Sequence, residues 1–258
     1  METNSIIRKI QYYKEINMYS FVLLSGREIL EKKLNGKEKI YAQNKHKVIK
    51  YLTIFSSYNL TPDSYFEELM EALKSFCKSV WNVEMRLVTR GIIGMGESFG
   101  LLAFEVGLSF HPLFNVPYIP ASSIKGAIRS ACEELGYVNE AKKLFGDQRI
   151  AGIIGFTDAF PVKKEKYILY PDVTTPHYPN VETELEVNPN PVVHLSIAPR
   201  TVFRFLVYAK DHINQRLNYV LLTSMLYALS RGIGARTSNG YSLFEPSRIV
   251  KLEDESGG

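Results

Sequence analysis

The order of strand-like and helix-like segments from Trp81 onward constrains the fold of this chain more than any other feature. VEMRLVTRGII alternates as a half-buried strand does, and GLLAFEVGLSF is a second strand-like run, broken by Gly107. AGIIGFTDAFPV is predicted to be one strand that ends at Pro161. Between these strands, residues 122–136 predict an amphipathic helix. The residues on its apolar face are Ile124, Ala127, Ile128 and Ala131.

The remaining segments extend this pattern to the C-terminal part of the chain. VVHLSIAPRTVFRFLVYAK predicts a hairpin hinged at Pro199–Arg200, INQRLNYVLLTSMLYALS a helix, and LFEPSRIVKL a closing strand. Residues 163–191 are rich in Pro, Tyr and Asn and predict a long irregular segment, which in a compact domain usually has a function. The whole order is β-α-β-β-α-β with extra pieces. It predicts an α+β domain with a ferredoxin-like (RRM-type) core over 81–250, followed by a tail at 251–258.

Residues 1–80 differ from the rest and predict a helical N-terminal region. TPDSYFEELMEALKSFCKSVW has the period of a helix, with Thr61 as its N-cap and Pro62 in its first turn. Between Ser25 and Lys50, eight Lys or Arg residues stand against three Glu residues. Such a basic run is either a solvated helical face or a contact surface, and the sequence leaves both open.

The segment NVPYIPASSIKGAIRS places two cations where a helix disfavours them. Ser122 and Ser123 offer N-cap chemistry after Pro120, and Lys125 and Arg129 follow in the first turns. The helix macrodipole favours acidic side chains at this end, so local helix stability alone predicts Asp or Glu there. An anion bound by the helix N-terminus and both cations would reverse that argument. Phosphate is the candidate anion.

A glycine-rich segment, RGIGARTSNGYS at residues 231–242, has the composition of an anion-binding loop. Glycine lets a backbone approach a ligand closely, and successive N–H groups can surround an anion. The accompanying side chains suit a phosphodiester backbone better than a base edge. They are Arg231, Arg236, Thr237, Ser238 and Asn239. The alternative is a helix C-cap at Gly232 followed by a turn, which leaves the two arginines unexplained.

The sequence shows no convincing catalytic, metal or cofactor motif. GIIGMGESFG at 91–100 lacks the lysine and the glycine spacing of a phosphate-binding loop, and no clear helix follows it, so we expect a flexible loop. The five histidines have no close metal-ligand spacing. His111 and His177 lie in predicted loops, where each is a base, an RNA contact or merely structural. Asp158 is expected to support a turn. We therefore expect a binding protein with no metal and no cofactor.

Composition sets only broad limits on where the chain works. A net charge of +4 over 258 residues permits a nucleic-acid partner without arguing for one. Cys77 and Cys132 lie far apart, which favours buried, reduced thiols over a disulfide or a zinc site. The first residues carry charges throughout, unlike a signal peptide, and no apolar run is long enough to span a bilayer. We expect a cytoplasmic protein with no membrane contact.

The two motifs that carry the phosphate argument also resemble a known family. PYIPASSIKGAIR is similar to PYIPGSSLKGALR, and GIGARTSNGYS is similar to the loop GxGAKTSxGYG, both of the RAMP superfamily of CRISPR RNA-binding proteins. LFGD, GFTDAFP and YPDVTTPHYP with NPNPVVHLSIAPRTVFRFLV further resemble one subgroup, the end-capping subunits of type III-B (Cmr) effector complexes. Ala121, Arg236 and Ser242 depart from the family pattern, but none of these changes removes a donor.

This resemblance implies a function and a set of partners. A ferredoxin-like core would bind guide (CRISPR) RNA through the helix at 122–136 and the glycine-rich loop, with Ser122, Ser123, Lys125 and Arg129 beside RNA phosphates. A β-hairpin inserted at about 163–195, which includes His177, would contact the duplex of guide and target RNA. Other Cmr subunits would be neighbours, chiefly the repeated backbone RAMP subunit and the second capping RAMP subunit. The subunit would cap the backbone filament near the guide 3′ end.

The resemblance also implies that this subunit binds RNA without cutting it. In the related backbone subunit that cuts target RNA, the catalytic aspartate precedes the motif helix, whereas the corresponding loop here, HPLFNVPYIPA, has no acid. One alternative is a metal-independent endoribonuclease that processes CRISPR precursor RNA and uses His46, His111 or His177 as general base. Another is an interaction module with no RNA role of its own.

Overall fold

The computed structural model describes Ile7, residues 16–174 and residues 191–252, and within these ranges it contains both helices and strands. The helices are α1 (Met18–Leu34), α2 (Glu38–Phe55), α3 (Asp63–Lys74), α4 (Ser98–Phe104), α5 (Ala121–Glu134), α6 (Val138–Phe145) and α7 (Gln215–Arg231). The strands are β1 (Ser79–Leu87), β2 (Phe110–His111), β3 (Val116–Pro117), β4 (Ile154–Phe156), β5 (Phe160–Lys163), β6 (Leu169–Thr174), β7 (Val192–Ile197), β8 (Val202–Ala209) and β9 (Phe244–Leu252).

A five-stranded antiparallel sheet organises the chain from β1 onward. Its order is β4-β8-β1-β9, and β5 pairs with β8 beside β4. In the centre, Val83 of β1 lies opposite Phe205 of β8 and Ile249 of β9. The predicted strand AGIIGFTDAFPV is therefore two strands, interrupted where Thr157 bonds to Leu206. The prediction of a mixed α+β chain with an antiparallel sheet is confirmed.

Helices α5 and α7 pack against each other over the core of this sheet. The spacing of the apolar residues on α5 explains its placement, because Ile124, Ile128 and Ala131 recur every three or four residues and are all buried. The strongly apolar helix α7 begins at Asn214, whose side chain accepts a hydrogen bond from the Leu217 N–H. Both helices were predicted from the sequence, whereas α6 was not.

The N-terminal helices divide between two clusters of buried apolar residues. Helices α1 and α2 pack with α4, β6 and β7, and α3 packs on β1 with the main sheet. The lysines of the basic run are exposed except for Lys32, which is half-buried, and Lys45, which is buried. Thr61 is not an N-cap as predicted. Helix α3 starts one residue later, with Pro62 in the cap position, and Thr61 is buried ahead of it.

Strands β6 and β7 form a separate two-stranded antiparallel sheet, from Leu169 opposite Ile197 to Thr174 opposite Val192. Residues 175–190 lie between them and outside the described residues. Two predictions are wrong here. Residues 169–174 were predicted to be irregular but form a strand. Strands β7 and β8 were predicted to form a hairpin but belong to different sheets. The chain changes sheet at Arg200, which has a positive φ of 66° and donates its N–H to Leu87 O.

The predicted strand GLLAFEVGLSF is largely the short, kinked helix α4. Phe99, Ala103 and Phe104 are buried at helical spacing, and Glu105 ends the helix in the left-handed region. The apolar run is too short for its periodicity to separate a strand from a buried helix. Helix α4 also follows the glycine-rich segment 91–100, after which no helix was expected. Of the helices in the described ranges, none is both long enough and apolar enough to cross a membrane.

Candidate nucleic-acid interface

The glycine-rich segment 232–242, called the glycine loop below, is held against the end of β1 by backbone bonds. Gly234 has a φ of 134°, and a Cβ added there would lie 2.7 Å from Ile92 O. Ser242 is buried with a positive φ of 57°, and its Oγ accepts the Ile92 N–H at 3.0 Å. Its own N–H donates to Arg90 O at 2.8 Å. The serine that departs from the family pattern therefore anchors the loop.

The polar side chains of the glycine loop face outward from this anchored backbone. Thr237–Asn239 forms one 3-10 turn, and the carbonyl of Arg236 accepts the N–H groups of Asn239 and Tyr241. Ser238 and Asn239 are exposed. Within the described part of the chain, Arg231, Arg236 and Thr237 have no side-chain hydrogen bond or ion pair. Their donors are free for a ligand.

A groove of about 210 Å³ runs between α5, the end of α7 and the glycine loop. Its lining includes Ala127, Ser130 and Glu134 from α5. On the opposite side, it includes Arg231 at the end of α7 and Thr237 from the glycine loop. The three α5 residues repeat at helical spacing and lie on one flank of that helix. The structure thus brings the middle of the predicted motif helix beside the glycine loop.

Lys125 and Arg129 lie on the other flank of α5. At about 100° per residue, Lys125 is rotated about 160° from Ala127, and neither cation lines the groove. Arg129 Nε donates to Glu133 Oε1 at 2.9 Å. Lys125 is half-buried and has no ion pair with another described residue. The structure therefore places these two cations on one flank of the helix and the glycine loop beside the other flank.

The N-terminus of α5 already has an acidic partner. The expectation that Ser122 or Ser123 caps the helix is wrong, because Pro120 is the N-cap and no side chain of a serine bonds there. Asp158 Oδ1 instead accepts the Ala121 N–H at 2.7 Å. A carboxylate placed here satisfies the helix macrodipole from another part of the chain. Ser122 is exposed and Ser123 half-buried, so both remain reachable.

A buried carboxylate that the sequence did not single out links the glycine loop to β6. Asp172 accepts hydrogen bonds from the Arg90 guanidinium and, at 3.0 Å, from the Tyr241 hydroxyl. Burial and this contact with Asp172 raise the pKa of Tyr241, which keeps the hydroxyl protonated as a donor. The partners are 82 and 69 residues away in sequence, so no local pattern could have found the group.

The two histidines that the structure describes in this region, His111 and His194, make structural contacts. His111 stacks on Phe114 at 4.7 Å between ring centroids, and its Nδ1 accepts the Phe114 N–H. His194 is buried between β6 and β7, and burial lowers its pKa, so it is neutral at pH 7. His177 lies outside the described residues. In the ranges that the structure describes, no three His, Cys, Asp or Glu residues form a group able to hold a metal ion.

Known proteins are similar to this chain over the part that contains these residues. The RAMP superfamily model matches residues 102–245, which include α5 and the glycine loop. The CRISPR system CMR subunit Cmr6 of Saccharolobus solfataricus is 42% identical over 185 residues. This alignment covers 72% of the chain and 64% of that protein, so the chain spans less than two thirds of this relative's length.

A solved structure matches nearly the whole chain. It is a chain of the cryo-EM structure of the type III-B Cmr-beta complex bound to cognate target RNA. The superposition has a TM-score of 0.84 at 34% sequence identity, and it covers 96% of this chain and 97% of that one. The residues matched by the family model include both motifs identified in the sequence. The chain belongs to the RAMP superfamily.

Proposed function

We propose that this chain is a non-catalytic, RNA-binding subunit of a type III-B CRISPR (Cmr) ribonucleoprotein. The observation that carries the proposal is the match over 96% of the chain to a subunit of a Cmr complex bound to target RNA. The partners would be guide RNA, target RNA, the repeated backbone RAMP subunit and the second capping RAMP subunit. In this role the chain would cap the backbone filament near the guide 3′ end.

The fold would place RNA against a ferredoxin-like core. The strand order β4-β8-β1-β9 supports this description, since β1 and β8 are central and the two helices that pack together, α5 and α7, connect central strands to edge strands. Strands β6 and β7 would be the base of the inserted hairpin at about 163–195, which would contact the duplex of guide and target. His177 belongs to that insertion and would be one of its RNA contacts.

The glycine loop would bind the RNA backbone without reading its sequence. Arg231 and Thr237 line the groove, and their side chains and that of Arg236 have no partner among the described residues. Ser238 and Asn239 are exposed next to them. Such donors suit phosphate and sugar oxygens, which every guide presents equally. On the helix, Ser123 is close to the groove flank. Ser122, Lys125 and Arg129 would contact phosphates along the other flank, with Arg129 exchanging Glu133 for an RNA phosphate.

Two features support binding without cleavage. The loop before α5 has no acid, and the carboxylate at the start of α5, Asp158, is bonded to the Ala121 N–H. His111 is the first residue of that loop, and its Nδ1 already accepts a backbone hydrogen bond. The endoribonuclease alternative needs a free base beside a bound 2′-OH. We therefore expect His111→Ala to leave RNA uncut, as in the unmodified chain.

The salt dependence of RNA binding tests the phosphate contacts. Arg236→Ala and Arg231→Ala are each expected to weaken binding of a labelled single-stranded RNA and to reduce the slope of log Kd against log salt by about 0.7–0.9. Lys74→Ala, an exposed lysine at the end of α3, is the matched control and should leave the slope unchanged. Slopes that all three variants share with the unmodified chain would refute the proposed contacts.

A further inference from the structure

A second groove, of about 470 Å³, lies at the base of β6. We call it the tyrosine groove. Its principal side chains are Arg90, Lys166, Tyr167, Tyr170 and Arg200. Its volume is within the range of about 300–1,000 Å³ that is usual for small-molecule sites. Three of these residues lie in the insertion at about 163–195, but none of the five was singled out as a ligand contact.

Each of the two tyrosines has a cation over its ring. The Arg90 guanidinium lies 5.9 Å from the centroid of Tyr170, and Lys166 Nζ lies 5.0 Å from the centroid of Tyr167. The two rings are 6.5 Å apart and tilted by 56°, so they do not stack on each other. Tyr170 is 42% exposed. Partly exposed aromatic rings combined with cations are the arrangement that binds unpaired nucleobases beside their phosphates.

The charge of the tyrosine groove favours an anionic ligand. Three cations line the groove, of which Arg90 is paired with Asp172 and Arg200 with Glu165 at 2.6 Å, so Lys166 is the lining cation without an ion pair to a described residue. Arg200 is exposed and holds a left-handed backbone conformation that non-glycine residues rarely adopt. An exposed ion pair of this kind contributes about 0–1 kcal/mol, so an RNA phosphate could replace the carboxylate at small cost.

Arg90 and Asp172 link the tyrosine groove to the glycine loop. The Arg90 carbonyl accepts the Ser242 N–H, while its guanidinium contacts Asp172 and Tyr170. Asp172 in turn accepts a hydrogen bond from Tyr241 of the glycine loop. A strand of RNA that leaves the glycine loop toward β6 would therefore approach Tyr170.

We propose that the tyrosine groove binds one unpaired nucleotide of an RNA, with the base stacked on Tyr170 and a phosphate beside Lys166 and Arg200. The inference rests on the proposed RNA-binding function and adds a site to it. Base stacking on an aromatic ring needs no hydrogen-bond readout, so the site accepts any base. That property suits a subunit whose guide varies in sequence.

Affinity measurements with tyrosine variants test the stacking. Tyr170→Ala is expected to weaken binding of a labelled single-stranded RNA to the full chain about tenfold, whereas Tyr170→Phe should retain it because the ring remains. Tyr219→Ala removes a similarly exposed tyrosine from α7 and is the matched control. Equal affinities for Tyr170→Ala, Tyr170→Phe and the unmodified chain would overturn the proposal.

Photo-crosslinking in the assembled particle decides the question independently of the affinity of the isolated chain. Complexes recovered through a tagged chain from cells fed 4-thiouridine should give RNA crosslinks at Tyr167 or Tyr170. Crosslinks at the glycine loop alone would overturn the tyrosine groove and leave the proposed function standing. Crosslinks nowhere on the chain would overturn both.

Discussion

At the scale of single residues, the glycine loop depends on backbone positions that only certain residues can occupy. Gly234 lies where any Cβ would meet the Ile92 carbonyl, and Ser242 uses a left-handed conformation to reach the Ile92 N–H. Strained conformations of this kind persist only where surrounding contacts fix them, and they cluster at binding sites. The composition of the loop predicted an anion-binding role, but its attachment to residues 90–92 appears only in the fold.

Gly234→Ala is expected to destabilise the chain by about 3 kcal/mol, because it combines an unfavourable φ with a contact of 2.7 Å to a backbone oxygen. Gly240→Ala is the matched control. It has a positive φ of 81° but nothing within 4 Å of the added Cβ, so it should cost about 1 kcal/mol. Urea denaturation measures both. Equal losses in the two variants would show that the close approach at Gly234 does not matter.

At the scale of elements, the strands of the main sheet could be predicted from the sequence, whereas the way in which β7 and β8 pair with other strands could not. Helical spacing identified α5 and α7, because burial of one face imposes that period. Strand-like sequences identified β1 and β9, but β1 is not half-buried as predicted, since eight of its nine residues are buried. The strand-like sequence of residues 192–209 could not tell that β7 pairs with β6 and Gly91 while β8 pairs with β1. Strand partners depend on contacts distant in sequence. Helix geometry alone places Lys125 and Ala127 on opposite flanks of α5. The groove could not be predicted in this way, because it depends on where α7 packs.

Glu84 shows how one ion pair supports the sheet. It is buried on β1, directly opposite Arg204 of β8, whose Nη2 donates to Glu84 Oε1 at 2.7 Å. Lys163 Nζ donates to the other carboxylate oxygen at 3.1 Å. Burial alone would raise the pKa of Glu84, but the hydrogen bonds from Arg204 and Lys163 outweigh it and the pKa is lowered. Folding therefore favours the charged form of this carboxyl.

We expect Glu84→Gln to lower the free energy of unfolding by about 3 kcal/mol at pH 7, since it removes the buried charge partner of Arg204 and leaves only the exposed Asp63. Because the folded pKa lies below the usual 4.5, the stabilisation is present above that pH and is lost as pH falls through the folded pKa. The difference between the variant and the unmodified chain should thus shrink in acid. Denaturation at several pH values measures it, with the exposed pair variant Glu133→Gln as control. A difference independent of pH would contradict the role of the charge.

At the scale of the whole molecule, family membership and fold agree, and the resemblance in two short motifs extends to nearly the whole chain. Residues 16–74 contain neither of these motifs. They contain α1, α2 and α3, lie outside the family match at 102–245, and carry most of the basic run on exposed helical faces. Their charge alone does not distinguish a solvated face from a subunit contact. The fold places α1 and α2 against β6 and β7, near the proposed hairpin.

The most direct test of the proposed function is to purify the tagged chain from cells with an intact CRISPR locus and to sequence the RNA and proteins of one eluate. We predict mature guide RNAs together with other Cmr subunits, and a reduced RNA yield from the Arg231→Ala, Arg236→Ala double variant but not from Lys74→Ala. Uncut precursor transcripts without partner proteins would contradict the account and favour the processing nuclease instead. Partner proteins without guide RNA would equally contradict an RNA-binding subunit.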